Sequence, residues 1–479
     1  MKVVLFALNS SYVHTNLAVR CLKNYAEQQL PDKHEIIIVE NNLKDKFDEV
    51  LYSLYSLKAD VYAFSCYIYN IREILFYAGG LKSLLPDSLI ILGGPEVSYD
   101  AEDLLKNHTF IDYVIINEGE EVFAEFLEKG SDEKIIDGKI FGKFTQTGIQ
   151  YSVNETISGN IAYYESSRGC PYKCSYCLSS RISGIRAKTV SHTLQDLLEF
   201  EKFSTVSTIK FVDRTFNYDM KRAKDIFQGL LSEKYTKTYH MEMRPELFDE
   251  EMFCILEKFP KGKLQMEIGI QSTDNKVLLA IDRPSDIEKA IRNMKKLRKL
   301  GNINVHADLI AGLPYDDISS VRESYNSLFY ACDRLQLGFL KLLKGTKIRK
   351  EKDKYAYRFN MNAPYDVYEN RFISFDEISS LKRVAALTER YKNSVHFERT
   401  IEYITGFSLS PFDFFVGLDR YINRHISSVS QENAFKALYE FSKKEIKSGM
   451  TDKEWSDFID YLKEDYSGCL NRQAPVSYI

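Results

Sequence analysis

With 479 residues, 44% of them hydrophobic, the chain is long enough to build two or three cores rather than one. Its net charge of −4 is spread without a long basic run, so composition excludes nucleic acid or an anionic membrane as the default partner and points to small-molecule or peptide chemistry. The apolar run that opens the chain is too short for a secretory leader or a spanning helix, and Cys21, Cys66, Cys254, Cys332 and Cys469 are scattered; a cytoplasmic protein without disulfides is expected. Residues 1 to about 130 alternate apolar strands (3–8, 35–39, 61–65, 89–92, 113–116) with amphipathic helices such as 17–29 and 71–84. Five βα units of this kind predict a doubly wound parallel sheet, with its crevice beyond the C-terminal strand ends. The loops there are Asn9 to His14, Ser65 to Tyr67, Gly93-Gly94-Pro95-Glu96 and Asn117-Glu118-Gly119-Glu120. No G-x-G-x-x-G follows the first strand, which argues against a dinucleotide site of the usual kind.

Domain boundaries are expected at 1–135 for this Rossmann-like sheet, 136–160 for a hairpin-containing linker with strands near 139–145 and 149–153, 161–350 for a second βα region and 351–479 for a helical domain. The second region places Cys170-Pro-Tyr-Lys-Cys174-Ser-Tyr176-Cys177 after its first strand. Three thiolates at this spacing can hold three irons of a cubane whose fourth iron stays open to a small molecule. The alternative, a zinc knuckle with a distant fourth ligand or simply buried thiols, lacks the usual paired C-x2-C pattern. Later strands near 208–212, 239–243, 265–270, 305–310 and 334–341 complete six βα units, a partial barrel with reactive groups at its C-terminal strand ends. Those ends carry Asp213, Arg214 and Asn217; Glu242 and Arg244; Glu267, Gln271 and Ser272; and Asp308 followed by Ala311-Gly312-Leu313-Pro314.

The cysteine loop resembles the signature of the radical S-adenosylmethionine (SAM) enzymes, in which SAM chelates the open iron of a 4Fe-4S cluster and is cleaved to a 5'-deoxyadenosyl radical. The run Gly269-Ile-Gln271-Ser272, then Asp282-Arg283, then Asp308 to Pro314 resembles the SAM-binding segments of the coproporphyrinogen-dehydrogenase type. The resemblance implies that Glu242 and Gln271 contact the amino group or ribose of SAM, with Ser272 beside them. It implies too that Arg283 pairs with the methionyl carboxylate, that Asp308 accepts from the ribose, and that 310–313, with Ala311 and Gly312, pack the adenine. Tyr176 is placed to flank the open iron, and Asp213 stands where many members carry a glycine-rich segment.

The N-terminal sheet resembles the cobalamin-binding domain that precedes the barrel in one large class of these enzymes: Gly93 and Gly94 match the approach of the nucleotide tail, Ser65 stands near the family's S-x-L position, and Glu118 lies in the loop facing the barrel. His14 does not fit the family's D-x-H-x-x-G cobalt-ligating motif, since Tyr12 and Leu17 stand where Asp and Gly are needed. A Rossmann-like domain that binds nothing is the alternative here. The helical C-terminus resembles the uncharacterised domain of a subgroup of these proteins; Arg358, Tyr365, Arg371, His396 and Arg399 either face a substrate or lie on a solvated helical surface. The expected activity is methyl transfer to an unactivated carbon of a small-molecule or peptide substrate, with cobalamin, SAM and a 4Fe-4S cluster as cofactors and flavodoxin or ferredoxin as electron donor. A non-methylating rearrangement or cyclisation, or an iron-sulfur module without turnover, stands as the alternative. Methylthiotransferases share the barrel, but Cys21 and Cys66 lack the pattern of their cysteine-bearing N-terminal domain.

Overall fold

The computed structural model describes residues 1–138, 148–152, 157, 159–182, 184–425 and 430–471. The chain folds into two compact units: one comprises Met1–Glu242, Lys341–Glu351 and Asn360–Asp366, the other Met243–Leu340, Lys352–Phe359 and Val367–Ile479.

The first unit opens with β1 (Lys2–Asn9), α1 (Leu17–Gln29), β2 (Glu35–Asn42), α2 (Phe47–Ser56), β3 (Val61–Ser65), α3 (Ile71–Leu84), β4 (Leu89–Gly93), α4 (Ala101–Asn107), β5 (Tyr113–Asn117), α5 (Glu120–Lys129) and β6 (Ile135–Gly138). All six strands are parallel in the order β2-β1-β3-β4-β5-β6, which puts the topological switch between β1 and β3. Strand alternation explains the two layers of helices: Val3, Leu5 and Ala7 of β1 pack with Val19 and Ala26 of α1 and Phe123 of α5, while Val4, Phe6 and Leu8 pack with Leu54 of α2 and Ile74 and Leu81 of α3. β6 crosses the 135/136 boundary read from the sequence and pairs with β5, so residues expected to start the linker belong to the sheet.

The expected linker strand at 139–145 lies outside the described residues. Residues 149–152 form no strand; Tyr151 is buried there, its hydroxyl accepting from Tyr163 N at 2.9 Å and lying 2.9 Å from Thr15 Oγ1, and Gln150 Oε1 accepts from Asn24 Nδ2 at 3.0 Å, so side chains rather than a ladder hold the segment. The first unit continues with β7 (Ile161–Tyr164), the antiparallel pair β8 (Ser167–Gly169) and β9 (Ile185–Ala187), α6 (Val190–Glu199), β10 (Thr208–Phe211), α7 (Met220–Leu230) and β11 (Thr238–Met243). β7, β10 and β11 are parallel neighbours in that order.

The second unit carries α8 (Glu250–Leu256), β12 (Leu264–Gln271), α9 (Asn275–Ala280), α10 (Ile287–Leu300), β13 (Ile303–Ala311), α11 (Ile318–Phe329) and β14 (Arg334–Phe339). β12, β13 and β14 are again parallel. Alternation buries Met266, Ile268 and Ile270 on one face of β12 and leaves Glu267, Gly269 and Gln271 on the other, beside His306 and Asp308 of β13. The C-terminal region is not wholly helical, because a short antiparallel pair, β15 (Arg358–Phe359) and β16 (Val367–Glu369), precedes the helices. These are α12 (Phe375–Tyr391), α13 (Glu398–Thr405), α14 (Pro411–His425), α15 (Gln431–Glu445) and α16 (Asp452–Leu470). Capping boxes start two of them, Ser374 with Glu377 and Thr451 with Glu454. Among the described residues no helix is long and apolar enough to cross a membrane.

Candidate functional site

A cavity of about 720 Å³ lies in the first unit. One wall consists of the C-terminal ends of the N-terminal sheet: Asn9, Ser65, Gly93, Gly94 and Asn117 all border it. The other is the cysteine hairpin, through Ser167, Arg168 and Gly169 on one side of the three cysteines and Leu178 and Ser179 on the other. Whatever fills this space lies against both.

The hairpin that bears the cysteines closes at Gly169, which has φ +102°, and a Cβ there would meet Gly184 O at 2.2 Å. Glycine is therefore required by the hairpin itself. Cys174 is buried, Cys170 and Cys177 are half-buried, and the Cys177 amide donates to Cys174 O at 3.1 Å. Burial pushes the Cys170 thiol up, and the neighbouring Cys177 and Cys174 push in the same direction. Tyr176 is half-buried between them. Among the described residues no group of three or more His, Cys, Asp or Glu side chains is arranged to hold a metal ion.

Pairing of β8 with β9 sets Arg168 opposite Arg186, a like-charge pair that destabilises a hairpin unless neutralised. Carboxylates of the N-terminal sheet neutralise it. Arg168 reaches Glu118 at 3.2 Å, Glu120 at 2.7 Å and Glu165 at 2.8 Å, and Arg186 pairs with Glu118. Burial works against the charge on Arg168, but Glu165 and Glu120 hold it cationic. A nearly dry ion network of this sort contributes register more than stability: it locks the loop after β5 to the hairpin that presents the cysteines. Glu118, expected to meet a cofactor, thus spends its carboxylate on two arginines. Nothing in the sequence marks Arg168 or Arg186 as its partners beyond an acidic loop without a local base.

Asp213 is likewise consumed. It is fully buried and accepts from Ser166 N at 2.8 Å, Ser166 Oγ at 2.6 Å and Ser167 Oγ at 2.5 Å. Burial raises its pKa while the serines and Arg222 oppose the rise. Its work is to fix the start of β8. Gly94 departs from expectation in its reason: φ is +118° and a Cβ would meet Cys66 O at 2.5 Å, so its own backbone forbids a side chain. At Gly93 a Cβ would find nothing nearer than Ile115 O at 3.8 Å. Gly93 is the last residue of β4, not of the loop after it. Ser65 borders the cavity with its hydroxyl accepting from Asn16 Nδ2 at 3.2 Å.

Three aromatic residues shape the remaining wall. Tyr67 and Tyr69 stack with centroids 5.5 Å apart, and Tyr163 OH lies 2.6 Å from His14 Nδ1. Burial, with Lys210 nearby, lowers the His14 pKa, which favours the neutral ring. Glu242 is half-exposed on β11 with Arg214 at 3.7 Å.

In the second unit the expected SAM residues converge on Gly269. Arg283 Nη2 donates to Gly269 O at 2.5 Å, Asp308 is the register partner of Gly269 on β13, and the Gln271 amide nitrogen stands 2.7 Å from where a Gly269 Cβ would be. Gln271 has φ +69°, and its Oε1 is buried with no hydrogen-bond partner. A buried carbonyl without a donor calls for an explanation, and a ligand that donates to it is one. Ser272 instead is fully buried and accepts from Asp274 N at 3.1 Å, a turn contact. Ala311 is buried at the end of β13, and Gly312, at φ +90°, has its carbonyl held by Tyr357 Oη and Asn370 Nδ2, both at 2.9 Å. Of the C-terminal candidates, Arg358 and Arg399 are exposed and paired with Glu369 and Glu464, and Arg371 and His396 are exposed. Tyr365 is buried and on no helix.

Family models match three segments: a B12 binding domain over residues 3–127, the radical SAM superfamily over 164–328, and a protein family of unknown function, DUF4080, over 353–477. Among curated relatives, the cobalamin-dependent radical SAM methyltransferase TokK of Streptomyces tokunonensis is 26% identical over 372 residues, 69% of this chain and 53% of that protein. The 2-(S-pantetheinyl)-carbapenam-3-carboxylate methyltransferase of Streptantibioticus cattleyicolor is 25% identical over 57% of this chain and 45% of its own length. The chain thus spans about half the length of these relatives. Among solved structures, the cobalamin-dependent SAM radical enzyme OxsB, with aqua-cobalamin and SAM bound, aligns with a TM-score of 0.67 over all of this chain and 82% of its own, at 14% identity. A likeness at that identity speaks for the fold.

Proposed function

We propose that this chain, a radical SAM superfamily protein with a B12-binding domain in front of its barrel and a DUF4080 domain behind it, is a cobalamin-dependent radical SAM methyltransferase. Its substrate is a small molecule or peptide methylated at an unactivated carbon, with electrons from a flavodoxin- or ferredoxin-like donor. The observation that carries the reading is the cavity walled by both the strand ends of the B12-binding sheet and the cysteine hairpin.

The residues fit the groups this implies. Cys170, Cys174 and Cys177 lie on the one loop between β8 and β9, three thiols at the C-x3-C-x2-C spacing that a site-differentiated cubane takes. Gly93 leaves open the space that a Cβ would fill at the cavity wall, and Gly94 presents bare backbone there, as the approach of a corrinoid tail requires. Gln271 supplies a buried acceptor without a donor, and Arg283 a planar cation beside it; these would hold the amino and carboxylate groups of SAM. When bound, the cluster, SAM and corrinoid together supply the electron, the radical and the methyl group. The chain's own contribution is positional. The Arg168 network fixes the cysteine hairpin against the loop after β5, Asp213 fixes the start of that hairpin, and the stacked Tyr67 and Tyr69 give the cavity an aromatic wall.

The test is anaerobic reconstitution with iron, sulfide and hydroxocobalamin, followed by SAM and a low-potential reductant. The reading expects 5'-deoxyadenosine to form, and S-adenosylhomocysteine to accompany it once a methyl acceptor is present. Reconstituted protein that carries cluster and corrinoid but never cleaves SAM would defeat it.

A further inference from the structure

The C-terminal family of unknown function begins at residue 353, and its first turns lie outside the helical layer. They hold two loops that the preceding reading gives to two different ligands.

In the first unit, Tyr365 is 3% exposed and its hydroxyl donates to the carboxylate of Glu96. Glu96 is itself buried and takes Lys344 Nζ at 3.0 Å, while the same ammonium reaches Asp100 at 2.7 Å. The Arg349 guanidinium lies 4.6 Å from the centre of the Tyr365 ring. Burial works against the charge on Lys344, and Asp100 and Glu96 more than offset it. Glu96 ends the Gly94-Pro95-Glu96 loop that follows β4, whose first two residues border the cavity. The loop is therefore gripped from the side away from the cavity.

In the second unit, Tyr357 and Asn370 both donate to Gly312 O at 2.9 Å. Asn370 is not free to turn away, because its Oδ1 receives Phe372 N at 2.8 Å and Ile373 N at 3.2 Å. Gly312 follows the last residue of β13 in a positive-φ turn. Two donors on one carbonyl fix the direction of that turn.

We infer that the opening segment of the C-terminal domain is a brace with two separable arms. Tyr365 positions the glycine loop that takes the corrinoid, and Tyr357 with Asn370 positions the Gly312 turn that takes SAM. This rests on the functional reading above. A loop released from its brace samples other conformations, and apparent affinity falls by the fraction that remains competent. Each arm should thus govern one ligand only, a pattern that general destabilisation does not produce.

The experiment is equilibrium dialysis of hydroxocobalamin and of SAM against the anaerobically reconstituted full chain, for wild type, Tyr365→Phe, Lys344→Met, Tyr357→Phe and Asn370→Ala. Tyr365→Phe removes one oxygen and should weaken hydroxocobalamin about tenfold, as loss of a hydrogen bond to a charged group does, with SAM affinity unmoved. Lys344→Met should follow it. Tyr357→Phe and Asn370→Ala should weaken SAM and leave hydroxocobalamin unmoved. Both affinities falling together in each variant, or neither moving while wild type binds both ligands, overturns the brace. Wild type that binds neither hydroxocobalamin nor SAM defeats the functional reading first, and the brace with it.

Discussion

Two strand ends, Asp213 after β10 and Gln271 on β12, look alike in sequence: each is a polar residue where a barrel strand would meet a ligand. Their surroundings differ. Asp213 is buried with three donors from Ser166 and Ser167 on its carboxylate, whereas Gln271 is held at φ +69° with a buried carbonyl that receives nothing. A satisfied buried group is part of the scaffold, and an unsatisfied one is stability withheld for a partner. Residue type alone does not separate the two cases, and the variants below are ordered by how hard they press on the distinction.

Asp213→Asn should have the largest effect. It replaces an acceptor by an amide whose N–H faces hydroxyl and amide donors, so we expect a loss of about 2–3 kcal/mol in unfolding free energy and reduced iron loading. A denaturant titration showing wild-type stability would place Asp213 with the ligand-binding residues instead. Gly94→Ala comes next, because a Cβ 2.5 Å from Cys66 O at φ +118° strains the backbone; a loss of about 2 kcal/mol is expected whether or not corrinoid is present. Gly93→Ala is its counterpart: stability should hold while hydroxocobalamin affinity drops, since only a ligand meets the added methyl.

Gln271→Gly should do the opposite of Asp213→Asn. It relieves the positive φ and removes the orphaned carbonyl, so the thermal midpoint should stay level or rise, while SAM binds about tenfold more weakly. A fall in midpoint with unchanged SAM affinity would make Gln271 scaffold. The smallest effect concerns Asp316, a buried carboxyl with a single donor, Ser320, and Asp274 and Asp317 nearby; burial first and these neighbours second push its pKa up to about 7. A carboxyl whose folded pKa is raised adds stability at low pH and loses it as pH rises through the folded value. Asp316→Asn should therefore gain on wild type in thermal midpoint as pH rises from about 4 to about 7, with the difference constant above that, and parallel profiles would refute the shift.

Much of the fold was legible because its causes are local. The continuous apolar run of β1, the helices Leu17–Gln29 and Ile71–Leu84 and the order of βα units all follow from patterns within a few residues. The cysteine loop was legible because its chemistry sits in eight consecutive residues. What stayed hidden depends on pairs distant in sequence. Arg168 meets Glu118 across 50 residues, and Tyr365 meets Glu96 across 269. No spacing announces such partners, so the arginines that hold Glu118, the serines that hold Asp213 and the hold of Lys344 and Tyr365 on Glu96 were not legible. Gly94 was singled out for a sound reason, bare backbone at a strand end, but the pressure on it comes from Cys66 rather than from a ligand. The β15/β16 pair was missed because strands of two and three residues carry no period.

The central claim is that one cavity brings a corrinoid against the cysteine hairpin. Power saturation of the cob(II)alamin electron paramagnetic resonance signal tests it directly, in protein with its cluster reduced and in Cys174→Ala protein loaded with the same corrinoid. Faster relaxation of the cobalt spin in the cluster-bearing protein is the predicted result. Identical saturation curves from two samples that both retain corrinoid would contradict it.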